Sequence, residues 1–445
     1  MKKDISRRTF IKGAIATGFV GPLIVPNLSF AAPPSGRLQH AAIGVGGQGS
    51  YDLGQINSSE KVDVVAICDI DANNLKEAAK RYPKARQYRD WREMLEQEEN
   101  NIDSVNVSTP DHTHAPAAMT AIQKGKHTFC EKPLTHDVYE ARKLTLAAQR
   151  KGVATQMGIQ IHSHDFYRTA VLWAREGAIG KVKEWRAWSS ASFTNDTKKR
   201  PEGTDPVPKH VEWDLWLGTA PERPYKKDEY HAFNWRKHRD FGGGSTGDFG
   251  CHIFDSVFGA LDMTAPTSLT AQVESNSDAV HPGWVMVDYE FPGTKFTTGD
   301  TIRGSWYDGG KKPNTHLSPH LPEGHELPPS GSMLIGEEGT MIIPHYHMPE
   351  LYPLKKFKNY PVPELVTRNH YHEFVAASMG SDVVPGANFD FAGPMTESVL
   401  LANVANRFPG ETLTWNAKRL RFDGHRDATR LLKRRYRKGW KVRGL

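Results

Sequence analysis

The 445-residue sequence has little cysteine, a small net charge and no long apolar run beyond its first 30 residues. Its 3 cysteines, Cys68, Cys130 and Cys251, cannot all pair, and we interpret them as buried thiols. A charge of +6 gives no electrostatic case for nucleic-acid binding. Beyond the N-terminus, no run approaches the ~18 apolar residues of a membrane span. These absences exclude a disulfide framework, a nucleic-acid partner and an integral membrane protein.

The first 31 residues have the features of an export signal. Ser6–Lys12 is a twin-arginine signature, and a weakly apolar stretch follows it. Small residues, Ser29 and Ala31, stand at the −3 and −1 positions of a cleavage site after Ala31. Cleavage there would lower the net charge from +6 to +2. We expect residues 1–31 to be a twin-arginine signal peptide. It would engage the twin-arginine export machinery, deliver a folded protein to the periplasm and leave no membrane anchor. A cytosolic protein with an irregular tail is the alternative.

Strand and helix patterns alternate from Leu38 to Met157. Apolar runs rich in β-branched residues predict strands at Ala41–Ile43, Val62–Cys68, Ile102–Val107, His127–Cys130 and Ala154–Met157. Helical patterns lie between them at Asn73–Arg81, Ala115–Lys124 and Val138–Lys151. This alternation predicts an α/β fold with a parallel, doubly wound sheet. We therefore assign residues 38–157 to a Rossmann NAD-binding domain.

The pattern changes after Met157. One helix, Phe166–Glu176, precedes strand-like stretches at Val182–Ser190, Leu269–Glu274, Trp284–Phe291 and Lys295–Thr298. They predict a second α/β domain, residues 158–445, with a large and mainly antiparallel sheet that serves substrate binding and oligomerisation. Residues 305–365, rich in Gly, Pro and His, predict a long ordered loop region. The basic cluster from Arg430 to Trp440 predicts the solvated face of a final helix.

A glycine-rich turn follows the first predicted strand. Gly44, Gly46 and Gly49, with Gln48 between them, form the G-x-G-x-x-G pattern, which lets the backbone approach a pyrophosphate at a helix N-terminus. Asp69 closes the next strand, where a carboxylate accepts hydrogen bonds from a ribose 2′-OH and repels a 2′-phosphate. No arginine follows it, so the pattern favours NAD over NADP. A structural turn without a ligand is the alternative.

Lys132 also follows a predicted strand, where core packing gives no reason for a lysine. Beside an oxidised nicotinamide its pKa should fall, and it could polarise a substrate oxygen or relay a proton. An exposed lysine paired with Glu131 is the alternative.

If Asp248–Leu261 is helical, Asp248, His252 and Asp255 share one face at positions i, i+4 and i+7. The histidine could then take a hydroxyl proton while the Asp248 carboxylate fixes its tautomer. A solvated polar face with a chance histidine is the alternative.

These motifs together resemble the glucose–fructose oxidoreductase/inositol dehydrogenase family (Gfo/Idh/MocA). The resemblance rests on the glycine turn, Asp69, Thr109–His114, Gly125–Pro133 and Gly247–His252. It implies a dinucleotide domain, an open-faced antiparallel-sheet domain, and redox chemistry on hydroxyls of sugars and cyclitols. It further implies Lys132, Asp248 and His252 as catalytic residues, and cofactor contacts by Thr109, Pro110, His114 and Glu131. It also raises the expectation of a cis Lys132–Pro133 peptide.

Aromatic and histidine residues suggest where the substrate lies. Tryptophan rings stack on sugar C–H faces, so we expect Trp235, its neighbour Arg236 and His162 to bind substrate. Alternating histidines, His162 with His164 and His370 with His372, leave a metal site as an alternative, but we predict none.

The sequence thus predicts an exported oxidoreductase with tightly bound NAD. It would transfer a hydride between the nicotinamide and a ring hydroxyl or keto group of a sugar or glycoside, as a homodimer or homotetramer. One alternative is a glycosidase that oxidises a ring hydroxyl, eliminates the aglycone and reduces the ring again, using permanently held NAD. A sugar-binding protein without turnover is another.

Overall fold

The computed structural model describes Pro33 and residues 35–445, which form two sheets with helices packed around them. The predicted signal peptide, residues 1–31, lies outside the described residues. Within that described part, no helix combines the length and apolar character that crossing a bilayer requires.

The first sheet is parallel throughout, with strand order β3-β2-β1-β4-β5-β6. The chain runs through β1 (Leu38–Ile43), α1 (Gly47–Asn57), β2 (Val62–Cys68), α2 (Ala72–Arg81), β3 (Arg86–Tyr88), α3 (Trp91–Gln97), β4 (Ser104–Val107), α4 (Asp111–Gln123), β5 (His127–Glu131), α5 (Val138–Lys151) and β6 (Thr155–Gly158). This is the doubly wound sheet predicted from the sequence. β2 and α5 have the predicted bounds; β3 and α3 were not predicted.

A short 3₁₀ turn, Gln160–Ser163, leads out of the first sheet. The second sheet has nine strands, in the order β13-β12-β11-β7-β10-β9-β8-β14-β15. Its elements are α6 (Asp165–Arg175), β7 (Val182–Trp188), α7 (Trp213–Leu217), α8 (Gly244–Leu261), β8 (Ser268–Val273), β9 (Val285–Pro292), β10 (Thr301–Tyr307), β11 (Gly331–Gly336), β12 (Thr340–Pro344), β13 (Glu350–Tyr352), α9 (Leu354–Phe357), α10 (His370–Ser378), α11 (Phe389–Ala405), β14 (Thr412–Asn416), β15 (Arg421–Phe422) and α12 (Arg426–Arg430). Only β7 and β10 pair in parallel, so the predicted mainly antiparallel sheet is confirmed.

Two predictions of loops and strands in this half of the chain are wrong. Residues 305–365 are not one loop region, because β11–β13 and α9 lie within them. β11 and β12 are buried along their whole length as a hairpin beside β7, a partner remote in sequence. Lys295–Thr298 forms a turn closed by hydrogen bonds to Thr294 rather than a strand.

The basic C-terminal cluster also differs from its prediction. Helix α12 ends at Arg430, and the chain that follows is not helical. The Arg434 guanidinium is largely buried, where it donates to the His112 carbonyl (2.7 Å) and to the Glu140 carboxylate (3.1 Å). These partners, which are distant in sequence, hold the C-terminal segment against α4 and α5.

Helix α8 connects the two sheets. It packs against α6 and α11 and against strands β7 and β11 of the second sheet. Its apolar side anchors it there, with Phe254 against the buried Trp185 ring (5.2 Å between centroids). The opposite side of its first turns faces the carboxyl edge of the first sheet, where Lys132 follows β5. Side chains from both halves of the chain therefore meet at that edge.

Candidate active site

A cleft of about 340 Å³ opens at this edge. That is within the range of small-molecule sites, ~300–1,000 Å³. The sequence-predicted residues that line it are Gln48, Thr109, Glu131, Lys132, Trp235, Arg236, Asp248 and His252. The cleft therefore brings together the proposed catalytic set and part of the predicted cofactor set.

Lys132 and Asp248 form an ion pair in the cleft. Lys132 Nζ lies 2.7 Å from Asp248 Oδ1, and the side chains are 14% and 12% exposed. Burial alone would lower the pKa of Lys132, but Asp248 and Glu131 outweigh it and raise that pKa. Burial opposes ionisation of Asp248, yet Lys132 and Arg236 lower its pKa to about 2. Lys132 is therefore an ammonium group rather than a lysine with a depressed pKa. The Lys132–Pro133 peptide is cis, as predicted.

His252 lies one helical turn after Asp248, but the two side chains do not act as predicted. Asp248 Oδ1 accepts from Lys132 Nζ and from Arg236 Nε (3.1 Å). His252 Nδ1 is buried, and no residue in the described chain hydrogen-bonds to it. The Asp248 carboxylate interacts with two cations, Lys132 and Arg236, and therefore does not fix the tautomer of the His252 imidazole. Burial, Lys132 and His345 lower the pKa of His252 well below its ordinary value, so the ring is neutral at pH 7.

Arg236 connects the ion pair to an aromatic rim. Its guanidinium carbon lies 4.3 Å from the Trp235 ring centroid and 4.4 Å from that of Phe233. Phe233 is 59% exposed and packs edge-on against Phe193. The cleft thus combines the charged Lys132–Asp248 pair with the aromatic rings of Trp235 and Phe233, which suits a ligand with both hydroxyls and C–H faces.

The glycine turn packs too closely to admit side chains at Gly44 and Gly49. Gly44 has φ +81°, and a Cβ on it would lie 2.3 Å from the Ser108 carbonyl oxygen. A Cβ on Gly49 would lie 2.1 Å from the Gly44 carbonyl oxygen. Helix α1 begins at Gly47, and no side chain of the described residues caps its N-terminus. The Gly49 N–H donates to the Gly46 carbonyl (2.9 Å), and the N–H groups of Gly47 and Gln48 before it could donate to phosphate oxygens, so these residues fit a bound pyrophosphate.

Asp69 and Glu131 flank this turn. Asp69 accepts from the N–H of Val45 (2.9 Å) and of Asp71 (2.8 Å), which fixes its carboxylate at the end of β2. Glu131 accepts from Gln160 Nε2 (3.0 Å), and burial together with Asp52 raises its pKa well above the ordinary value. Glu131 thus lines the cleft as a carboxyl group that is harder to ionise than a free one.

Other predicted site residues lie outside the cleft lining. His114 is buried and hydrogen-bonds the carbonyls of Thr109 (2.7 Å) and Pro133 (2.8 Å), so it joins two loops of the cofactor edge. Pro110 is the residue before α4. His162 Nδ1 lies 2.7 Å from Asp255 Oδ1, and His162 is not among the residues that line the cleft.

Two of the histidines considered for a metal site, His370 and His372, each hydrogen-bond to other residues of the protein. His370 hydrogen-bonds the Met157 carbonyl and Ser163 Oγ, and His372 hydrogen-bonds Ser58 Oγ.

Six lining residues were not among the predicted site residues: Ser108, Asp111, Gln160, Phe249, His345 and Tyr346. Asp111 is buried and accepts from the Gly243 N–H (2.9 Å), and burial raises its pKa to about 6. It lies inside the quoted Thr109–His114 motif, so its position alone could have indicated it. His345 and Tyr346 follow β12 and reach the cleft through strand pairing. No local signal marks them, because the pairing joins residues far apart in sequence.

Two family models match the chain. The model described as "Oxidoreductase family, NAD-binding Rossmann fold" matches residues 38–159. The model described as "Oxidoreductase family, C-terminal alpha/beta domain" matches residues 186–309. Together they cover more than half of the chain.

Curated relatives match over a limited part of their length. The chain is 31% identical over 163 residues to glycosyl hydrolase family 109 protein 2 of Bacteroides fragilis, covering 35% of this chain and 38% of that protein. It is 30% identical over 117 residues to inositol 2-dehydrogenase of Salmonella typhimurium, covering 26% of this chain and 34% of that protein. The chain thus spans about a third of the length of these relatives.

A solved structure shares the fold across most of the chain. The WlbA dehydrogenase from Bordetella pertussis, in complex with NADH and UDP-GlcNAcA, superposes with a TM-score of 0.60. The alignment covers 85% of this chain and 99% of that one, at 16% identity.

Proposed function

Because the chain belongs to the Gfo/Idh/MocA oxidoreductase family, we propose that it is an NAD-dependent oxidoreductase of a sugar or glycoside. It would transfer a hydride between the nicotinamide and a ring hydroxyl or keto group. The observation that carries the proposal is the pairing of an ammonium group with a neutral imidazole in one cleft, at the carboxyl edge of a Rossmann sheet. Alcohol oxidation needs both a group that binds the substrate oxygen and a group that accepts its proton.

Each of the three residues has one role in this scheme. His252 accepts the hydroxyl proton at Nε2, because its Nδ1 is buried. Lys132 donates a hydrogen bond to the same oxygen and stabilises negative charge on it as the proton leaves. Asp248 keeps Lys132 protonated and in place, with Arg236 as its second partner. Bound NAD supplies the acceptor for the hydride from the carbon.

The cofactor assignment rests on the turn and on Asp69. Gly44 and Gly49 let the turn pack tightly against its own backbone and against Ser108, and the turn leads into the N-terminus of α1, which would bind the pyrophosphate. Asp69, held by two backbone N–H groups, would accept a hydrogen bond from the ribose 2′-OH and repel a 2′-phosphate, which supports NAD over NADP. Tight retention of NAD and assembly as a homodimer or homotetramer belong to the same proposal.

We also propose periplasmic export through the twin-arginine pathway. The support is the Ser6–Lys12 signature and the small residues before position 32. Export of a folded protein suits an enzyme that takes up its nucleotide before it leaves the cytoplasm. Replacement of both arginines of the signature by lysine should retain the protein in the cytoplasmic fraction.

A glycosidase is the second candidate function. Its support is the similarity to the family 109 hydrolase of Bacteroides fragilis and the exposed Phe233, which offers a ring surface for an aglycone. Such an enzyme would oxidise, eliminate and reduce, with no net change in NAD. Release of p-nitrophenol from p-nitrophenyl glycosides without added NAD distinguishes it from a plain oxidoreductase.

Turnover by active-site variants tests the proposed chemistry. Lys132→Ala and His252→Ala should each lower turnover by about 10²–10⁴, the range for loss of an acid/base group, and leave NAD bound. The double variant should be little worse than either single variant, because residues that act as a unit are not additive. Full activity in His252→Ala contradicts the proton-acceptor role.

A further inference from the structure

The turn after β12 introduces a second histidine into the active-site cleft. His345 follows β12 directly, and its backbone N–H donates to the Ser330 carbonyl (2.9 Å). The next residue, Tyr346, has φ +61° and also lines the cleft. A bulky side chain rarely adopts this left-handed conformation, which persists where the surrounding structure enforces it. Both residues lie beyond residue 309, where the second family model ends.

A hydrogen bond to a core residue holds the His345 ring. Its Nδ1 is 3.1 Å from the hydroxyl of Tyr167, a core residue of α6 that is 1% exposed. This bond leaves Nε2 as the nitrogen available to a ligand in the cleft. Burial, Lys132 and His347 lower the pKa of His345 to about 4, so the ring is neutral at pH 7. A neutral imidazole with a free nitrogen can accept or return a proton.

His345 and His252 stand side by side. Their ring centroids are 5.4 Å apart and the planes are tilted by 48°. Both rings face the cleft that contains Lys132, and the Lys132 ammonium lowers the pKa of each. Proton transfer needs a heavy-atom approach of about 2.6–3.2 Å. Two imidazoles at this spacing can each reach one of two neighbouring positions on a single sugar ring.

We propose that His345 is a second acid/base residue, which removes and returns the proton on the ring carbon next to the one that is oxidised. The inference rests on the proposed function. His252 takes the hydroxyl proton, and the carbon's hydride goes to the nicotinamide. The resulting carbonyl acidifies the neighbouring C–H, whose proton passes to His345 Nε2. The electron pair of that bond becomes an enolate, whose oxygen Lys132 stabilises.

The Tyr167 hydroxyl positions His345 for this step, and the arrangement makes elimination from the oxidised sugar possible. The proposed substrates are then sugars that carry a leaving group on the carbon next to the one whose proton exchanges.

Deuterium exchange during sugar oxidation tests the assignment. Purified holoenzyme is incubated in D₂O with a panel of free hexoses, methyl hexosides and myo-inositol. Absorbance of reduced nicotinamide reports the hydride step, and mass spectrometry of the recovered sugar reports C–H exchange. The wild-type protein should show both. His345→Gln should keep nicotinamide reduction within about 3-fold and lose exchange by about 10²-fold or more. Tyr167→Phe should lose about 10-fold of exchange and keep reduction.

The controls separate this inference from the function on which it rests. His316→Gln, an exposed histidine outside the cleft lining, should leave both signals unchanged. His252→Gln should abolish reduction and, with it, exchange. Exchange that persists in His345→Gln, or reduction without exchange in the wild-type protein, overturns the assignment and leaves the oxidoreductase proposal standing. Failure of every sugar to reduce the bound nicotinamide refutes the oxidoreductase proposal first. Retained nucleotide and an unchanged melting temperature confirm that each variant is folded.

Discussion

Asp248→Asn should destabilise the protein far more than an ordinary loss of one ion pair. Asp248 Oδ1 lies 2.7 Å from Lys132 Nζ and 3.1 Å from Arg236 Nε, and the side chains of both cations are at most 21% exposed. At an effective dielectric constant of about 20, each contact is worth roughly 5–6 kcal/mol before desolvation is counted. Removal of the carboxylate leaves two buried cations side by side, which costs about 3–5 kcal/mol.

A double-mutant cycle isolates this effect. Lys132→Met leaves Asp248 paired with Arg236 and should cost about 1–3 kcal/mol. The double variant removes one cation together with the anion, so it should be no less stable than Asp248→Asn alone. Urea unfolding followed by tryptophan fluorescence measures each value. Glu77→Gln, which breaks an exposed pair with Lys80 (66% and 61% exposed), is the control and should change stability by less than about 1 kcal/mol. Effects of the two single variants that add within about 0.5 kcal/mol would refute the pairing.

Three further predictions concern the cofactor turn and a buried acid. Gly49→Ala should abolish NAD binding in a fluorescence titration, because the new Cβ would lie 2.1 Å from the Gly44 carbonyl oxygen. Gly54→Ala is the control: no atom lies within 4 Å of a Cβ at this position of the same helix, so this variant should bind NAD normally. Asp69→Asn should lower the NAD:NADP affinity ratio by about 10-fold, since a charged hydrogen bond contributes ~1.5–3 kcal/mol, and an unchanged ratio would place Asp69 away from the ribose.

Burial raises the pKa of Asp111 to about 6 from 3.8, so folding takes up a proton between those values and stability falls as pH rises through them. Asp111→Asn should flatten unfolding free energy against pH in that window, and an unaltered profile would contradict the assignment.

The first sheet could be predicted because its signals are local. Val62–Cys68 is a short run of buried β-branched residues, and Val138–Lys151 has an Asp137 cap and ends at Gly152 with φ +62°. Arg86–Tyr88 was missed because a three-residue edge strand with polar side chains carries no apolar period. In the second sheet, β11 and β12 depend on pairing with β7, which no window of sequence contains.

The same contrast applies to the candidate site. Lys132 follows β5, and Asp248 and His252 lie inside α8, so their meeting could be inferred only from the family resemblance that these motifs carry. The partners of Asp248 could not be inferred. Helix spacing predicted His252, whereas in the folded chain Asp248 forms ion pairs with Lys132 and Arg236. His345 lacked any signal, since only the completed sheet brings it into the cleft.

Hydrogen isotope transfer into the bound nucleotide tests the central claim most directly. A panel sugar that reduces the bound nicotinamide is supplied with deuterium on every ring carbon, and the nucleotide is then released by denaturation and weighed by mass spectrometry. Hydride transfer predicts a nicotinamide dinucleotide that carries one deuterium, and Lys132→Ala should form it about 10²–10⁴ times more slowly. Conversion of the sugar with no deuterium in the nucleotide would contradict the account.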